Sequence, residues 1–169
     1  VELTFDHVLD LPTGLSDMYC TNFKRVFESE ESEQWRSCKG LVALIVASKE
    51  PLPLGTARAV LKWSPAEEEK VCKDTSLLFP VRDERFRVLH KSVVDWLVNE
   101  ERQASNEEFS IKKIDVLKAH QINVDQSYEC ITRLLESQPG ENGVSPIETM
   151  TEIYALRHVI LHCVEAENP

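Results

Sequence analysis

The sequence predicts a mainly α fold carrying one small β-hairpin. Three observations lead there. Apolar residues recur at helical spacing between Leu15 and Asp74, the period shifts to short β-forming runs between Leu77 and Leu89, and helical spacing returns from Ser92 onward. With 169 residues, 42% of them apolar, the chain can bury a core without disulfide or metal staples.

Val1 to Thr13 has no helical period, contains Pro12, and reads as an extended connector. Leu15, Met18, Tyr19, Phe23, Val26 and Phe27 then fall on one face of an amphipathic helix, which the solvated run Glu28 to Glu33 breaks. Trp35, Cys38, Leu41, Val42 and Ile45 mark a second helix ending near Lys49, since Pro51 and Pro53 forbid its continuation. Leu54 to Lys62 reads as a short third helix. Ser64-Pro65-Ala66-Glu67 starts a fourth, with Ser64 as cap, Pro65 in the first turn and Glu67 closing a capping box; it runs to about Asp74.

Leu77 to Val81 and Phe86 to Leu89 are the two arms of the expected hairpin, joined by the charged Arg82-Asp83-Glu84-Arg85. That turn lacks an Asn-Gly or Asp-Gly pair. Ser92 with Asp95 resembles a second capping box opening a helix that carries Val93, Val94, Trp96 and Leu97. Short helices followed by a hairpin and a closing helix form a winged-helix layout over residues 14–99, although the spacing also fits other small α+β domains. The charged stretch 100–110 reads as a linker. Residues 111–169 read as a helical segment: Ile114 to Leu135, a loop over Ser137 to Ser145 broken by Gly140 and Gly143, and a last helix over Ile147 to Val164. Two such helices have little core of their own and look like the opening of a helical superstructure.

Composition narrows the function classes. A formal charge of −10 argues against nucleic acid, whose binders neutralise phosphates with a basic face. The five cysteines are widely spaced with no C-x-x-C pair, which fits reduced thiols in a cytoplasmic protein. No apolar run approaches the roughly 18 residues of a membrane helix, and Val1 to Asp10 does not read as a signal peptide. The glycines are scattered and form no phosphate-cradling loop, so any ATPase chemistry must come from outside this segment.

From Leu11 to Leu97 the chain resembles the winged-helix region of signal-transduction ATPases with numerous domains (STAND proteins), in particular the NACHT subgroup. The residues that carry the likeness are LPTGLSDMY at 11–19, ALIVASKEPLPL at 43–54 and LLFPVRDERFRVLHKSVVDWL at 77–97. YALRHVILH at 154–162 resembles the lead-in to a repeat domain of ankyrin, WD40 or tetratricopeptide (TPR) type. The resemblance implies an upstream nucleotide-binding core that holds ADP and stays closed, with a histidine at the end of the second wing strand reaching the ADP phosphates. Plant and animal relatives write this as Met-His-Asp; here the matching run is Leu89-His90-Lys91, so His90 takes the histidine position and Lys91 departs from the Asp.

Each candidate has a plainer reading. His90 beside a helix N-terminus can present an imidazole to an anion, helped by the N–H groups of the Ser92–Asp95 turn, or it can be an ordinary strand-end residue. His158 and His162 stand at i, i+4 on one helix face, a spacing that suits metal ligands, but they lack the Glu of a metalloprotease helix and an evident third ligand; buried polar residues at a helix–helix contact explain them better. Ser92 is explained by capping, and Glu67, Glu68 and Glu69 by the helix dipole. If the fourth helix were a DNA-recognition helix, those carboxylates would face phosphates. The basic wing residues Arg82, Arg85, Arg87 and Lys91 leave only backbone contact open. The leading expectation is therefore a non-catalytic regulatory segment of a NACHT-type signalling switch. It would bind no cofactor alone, with ADP or ATP held by the parent chain and His90 reaching it. Its partners would be the upstream nucleotide-binding domain, the downstream repeats and other proteins, without membrane or nucleic acid. The alternatives are an autonomous protein-interaction module and, less favoured, a DNA-binding winged helix.

Overall fold

The computed structural model describes residues 14–105, 107–136 and 150–167. The connector expected at 1–13 and the loop expected at 137–145 lie outside the described residues. The fold is mainly helical with one small antiparallel hairpin, as the sequence predicts.

Helix α1 (Leu15–Phe27) buries Tyr19, Phe23 and Phe27. Its first turn departs from the expected apolar face: Leu15 and Met18 stay exposed, because the turn sits at the rim, held by a Trp96 Nε1–H bond to Ser16 Oγ at 2.9 Å. Helix α2 (Glu33–Ala47) is capped by Ser32, whose hydroxyl accepts from Trp35 N–H at 3.0 Å. From Leu41 to Ile45 it is buried on every side, which makes it the central helix. It stops at Ala47, where the Ser48 hydroxyl donates back to Leu44 C=O at 2.7 Å and the prolines follow.

Helix α3 (Leu54–Leu61) ends at Lys62 in the left-handed region, and α4 (Pro65–Thr75) opens with the reciprocal Ser64–Glu67 capping box expected. The hairpin is shorter than expected: β1 is Val81–Arg82 and β2 is Arg85–Phe86, with Val81 opposite Phe86. Leu78 and Phe79 donate their N–H groups back to Thr75 C=O at 2.9 and 2.8 Å, so they finish the turn of α4 instead of entering a strand. Asp83 and Glu84 both take positive φ (51° and 56°), the arrangement a two-residue hairpin turn requires even without glycine. A third extended segment holds this turn. Leu54 N–H donates to Glu84 C=O (2.8 Å) and Phe86 N–H to Leu52 C=O (2.9 Å), with Pro53 bridged to Arg85. Two helices, an extended bridge, two helices, the hairpin and a closing helix thus follow in order, and the span 14–99 is termed the winged-helix unit after the layout expected for it.

Helix α5 (Lys91–Leu97) closes this unit, and the expected linker is not one. Residues 100–104 form α6 (Glu100–Ala104), capped by Asn99. Arg102 is buried, its guanidinium 3.7 Å from the centre of the Trp96 ring and bonded to the carbonyls of Trp96 and Glu108 and to the Glu107 carboxylate. Phe109 is fully buried against Phe23, Phe27 and Trp35. The segment's charge conceals one arginine and one phenylalanine that anchor it to the core. Helix α7 (Lys113–Glu136) then packs on α2, α3 and α8 (Met150–Glu167), and α8 also meets α3. That last approach needs Gly55, where an added Cβ would fall 2.6 Å from Thr151 Oγ1.

Phe109→Ala is therefore expected to destabilise the whole winged-helix unit by about 3–5 kcal/mol. Urea unfolding of wild type and variant checks this; a change below about 1 kcal/mol would restore the linker reading.

Candidate functional site

The sequence places His90 at the end of the second wing strand. In the structure β2 ends at Phe86, and His90 is the N-cap of α5. The cap is therefore His90 and not Ser92. Ser92 N–H donates to His90 Nδ1 at 3.2 Å, which fixes Nδ1 as an acceptor. The Ser92 hydroxyl, 2.5 Å away, donates to the same nitrogen and accepts in turn from the Tyr19 hydroxyl at 2.6 Å. This ordering leaves the ring proton on Nε2. The side chain is exposed, and Nε2 makes no hydrogen bond among the described residues. The first-turn N–H groups do less than expected for an anion: that of Ser92 serves Nδ1, and that of Val93 bonds His90 C=O at 3.1 Å. On the α1 side of Ser92 lies an open groove of about 490 Å³, lined by Leu15, Tyr19, Asp95, Trp96 and Arg102 among others.

The basic wing is partly engaged within the molecule. Arg85 donates to Pro51 C=O (3.1 Å), and Arg87 pairs with Asp83 (3.3 Å). On α4, the hydroxyl and N–H of Ser64 hold the Glu67 carboxyl below its ordinary range, and Arg58 does the same for Glu68. Both carboxylates are thus charged near neutral pH, on the helix that would have to approach DNA phosphates.

A second cluster lies between the winged helix and the helical segment. His158 and His162 both belong to it, as polar residues of a helix–helix contact. His162 is fully buried, its Nδ1 2.9 Å from His120 Nδ1 on α7 and its Nε2 3.0 Å from the Tyr154 hydroxyl. The His158 ring lies 4.9 Å from that of Tyr154, with Nε2 facing Glu50 Oε1 at 3.2 Å but out of line for a hydrogen bond. Burial opposes the charge on Glu50, yet His158 and Arg85 outweigh it and hold its carboxyl below the usual range. Sequence reasoning found the two α8 histidines and missed Glu50, His120 and Tyr154. One signal was present: Ala119, Asn123, Ser127 and Cys130, with His120 beside them, form a small and polar stripe at helical spacing on α7, and it is this stripe that is buried. Among the described residues, no group of three or more His, Cys, Asp or Glu side chains is arranged to hold a metal, and no helix is long and apolar enough to cross a membrane.

Burial, with His120, His158 and Lys49 adding repulsion, pushes His162 down from 6.5 to about 4. Burial and Lys49 lower His120 as well. His162 is neutral in the folded chain down to about pH 4, so between pH 6.5 and about 4 the unfolded chain binds more protons, and stability falls as pH falls through that window. The expected loss for His162 is up to about 3 kcal/mol. Urea midpoints measured from pH 7 to pH 4 check this, and His162→Gln is expected to flatten the slope. No protein-family model matches the chain, and no curated protein or solved structure matches it either.

Proposed function

We propose that this chain is the winged-helix segment of a NACHT-type switch, coupling the nucleotide state of an upstream core to a downstream repeat sensor. The observation that carries the reading is His90. Its ring is fixed through Nδ1 by the backbone and hydroxyl of Ser92, and its Nε2–H is left at the surface, where it can donate to a phosphate oxygen. A histidine held this way pays little orientational entropy on meeting a ligand. Differential contact with ADP in the closed state is what a population shift between closed and open forms requires. In this reading the segment is cytoplasmic, performs no catalysis, and meets its nucleotide only in the context of the parent.

The far end of the chain suits the same reading. Leu156, Ile160 and Leu161 on α8, with Tyr128 and Leu135 on α7, are apolar and exposed, while the buried face between these helices carries His120, Asn123, Ser127, Tyr154 and His162. Stacking repeats bury such an outer face. The same exposed stripe also favours the second reading, an autonomous protein-interaction module, in which a partner protein covers it. Concentration-dependent self-association of the chain, abolished by Ile160→Glu, would support that reading over the switch.

His90→Ala removes the cap together with the imidazole, so His90→Asn is the sharper variant: it keeps a side-chain acceptor for the helix and loses the Nε2 donor. In the intact protein, His90→Asn is expected to weaken ADP binding about tenfold and to raise basal activity, with the thermal midpoint little changed. Titration calorimetry with ADP reads this out. Wild-type affinity and wild-type basal activity together would end the sensor role.

A further inference from the structure

Glu50 stands where three parts of the molecule meet: the α2–α3 connection that carries it, the wing and α8. Arg85, on β2, places Nη1 3.4 Å from Glu50 Oε1 while the same nitrogen donates to Pro51 C=O. Two successive residues of α8 arrive from the other side, His158 with Nε2 3.2 Å from Oε1 and Arg157 with Nη1 3.8 Å from Oε2. Glu50 is thus the shared counter-charge of a wing arginine and of Arg157 on α8, with the His158 ring set against the same carboxylate. Its carboxylate is three-quarters buried, so the attraction is less screened than at an open surface.

The rest of the seam gives this junction its importance. The continuous apolar core ends at Ala119 on α7. Beyond it, the buried residues are His120, Asn123, Ser127 and Cys130 on α7 and Tyr154, Ala155 and His162 on α8. Asn123 has both amide atoms buried without a hydrogen-bond partner among the described residues, as does the hydroxyl of Thr56 on α3. Helix α7 has its own attachments, Val116 and Ala119 in the core and a Lys39–Asp115 pair at 3.1 Å. None of the described side chains of α8 belongs to that core. The described buried residues of this helix are Tyr154, Ala155 and His162, and ion pairs to Lys49 and Glu50 tie it to the α2–α3 connection.

We propose that Glu50 is a latch tying the wing to α8, so that the position of Arg85 decides whether α8 stays docked. A wing displacement that withdraws Arg85 leaves the carboxylate without its wing cation and loosens the junction it shares with His158 and Arg157, and α8 opens while the winged-helix core stays folded. The inference deepens the switch reading, taking from it only the wing as the moving part, and supplies the route from His90, four residues past the end of β2, to the downstream helices.

Hydrogen–deuterium exchange on the 169-residue chain, without nucleotide, tests the latch. Glu50→Gln keeps the side-chain volume and removes the charge; Arg85→Gln acts from the wing. Both are expected to speed amide exchange in α8 by about tenfold or more while α1 and α2 exchange as in wild type. Unchanged exchange in α8 in either variant overturns the proposal, and so does a uniform rise across all helices, which would mean general destabilisation. If Glu50→Gln does not fold, His158→Gln releases the latch from the α8 side, and the same two results decide. Nucleotide takes no part in this experiment, so a failed latch leaves the His90 reading standing, and a failed His90 test leaves the latch.

Discussion

The ring of Phe23 is the constraint on which the rest of the winged-helix unit depends. It is fully buried and touches Phe27, Trp35, Phe79, Trp96 and Phe109 at centroid distances of 5.2–6.2 Å, all tilted or edge-on. Those rings come from α1, α2, the turn after α4, α5 and the segment after α6. Each element therefore contributes one large side chain to a common contact, and aromatic pairs in these orientations contribute beyond the area they bury. Trp96 then passes the constraint outward. Its indole N–H fixes Ser16, its ring carries the Arg102 guanidinium, and one helical turn earlier Ser92 meets Tyr19 and His90. The surface position of His90 is thus set by a core several residues away.

The junction with α8 is built on the opposite principle. Leu, Phe and Trp fill the first unit, whereas the buried seam residues are His, Tyr, Asn, Ser, Cys and Ala, and Tyr128, Leu135, Leu156, Ile160 and Leu161 stay exposed. Burying polar groups gains little over leaving them in water, and an unpartnered amide such as that of Asn123 costs free energy outright. On the latch proposal, this seam opens at lower free energy than the aromatic core, leaving one strongly cooperative unit and one weakly held element. Elements that move in switches are drawn from that weaker end. The apolar outer face of α7 and α8 has the complementary property, since a further helix laid against it would supply the burial that the inner face lacks.

Much of the fold was legible in local signals. The Ser64–Glu67 box, the Pro51 and Pro53 stop and the i, i+4 apolar spacing of α1 and α2 each have a short-range cause, and each corresponds to an element in place. What failed to show in the sequence depends on long-range contact. Phe109 looks like an isolated apolar residue in a charged stretch until Phe27 and Trp35 are placed beside it. Leu78 and Phe79 have strand propensity, but Thr75 C=O captures their N–H groups, and tertiary hydrogen bonding overrides the preference. His90 entered as a candidate through the resemblance of Leu89-His90-Lys91 to a family motif, and its capping role was not legible, because histidine is an uncommon cap and Ser92 offered a conventional one. Glu50 gave no signal. A glutamate between a lysine and a proline is ordinary until a wing arginine and a helix from more than a hundred residues away are folded onto it.

On the proposed reading, His90 would carry two roles that constrain each other. As a cap it must keep Nδ1 free of a proton, because that nitrogen accepts from both Ser92 groups. As a sensor it must present a donor, and the only hydrogen left to it is on Nε2. The two demands select the same tautomer, so the bonds that stabilise α5 also set the direction in which the ring can bind an anion. An asparagine or serine cap would stabilise the helix equally well and present nothing outward. An imidazole at this position, with its polar edge at the surface, is what the proposed sensor would require of the cap.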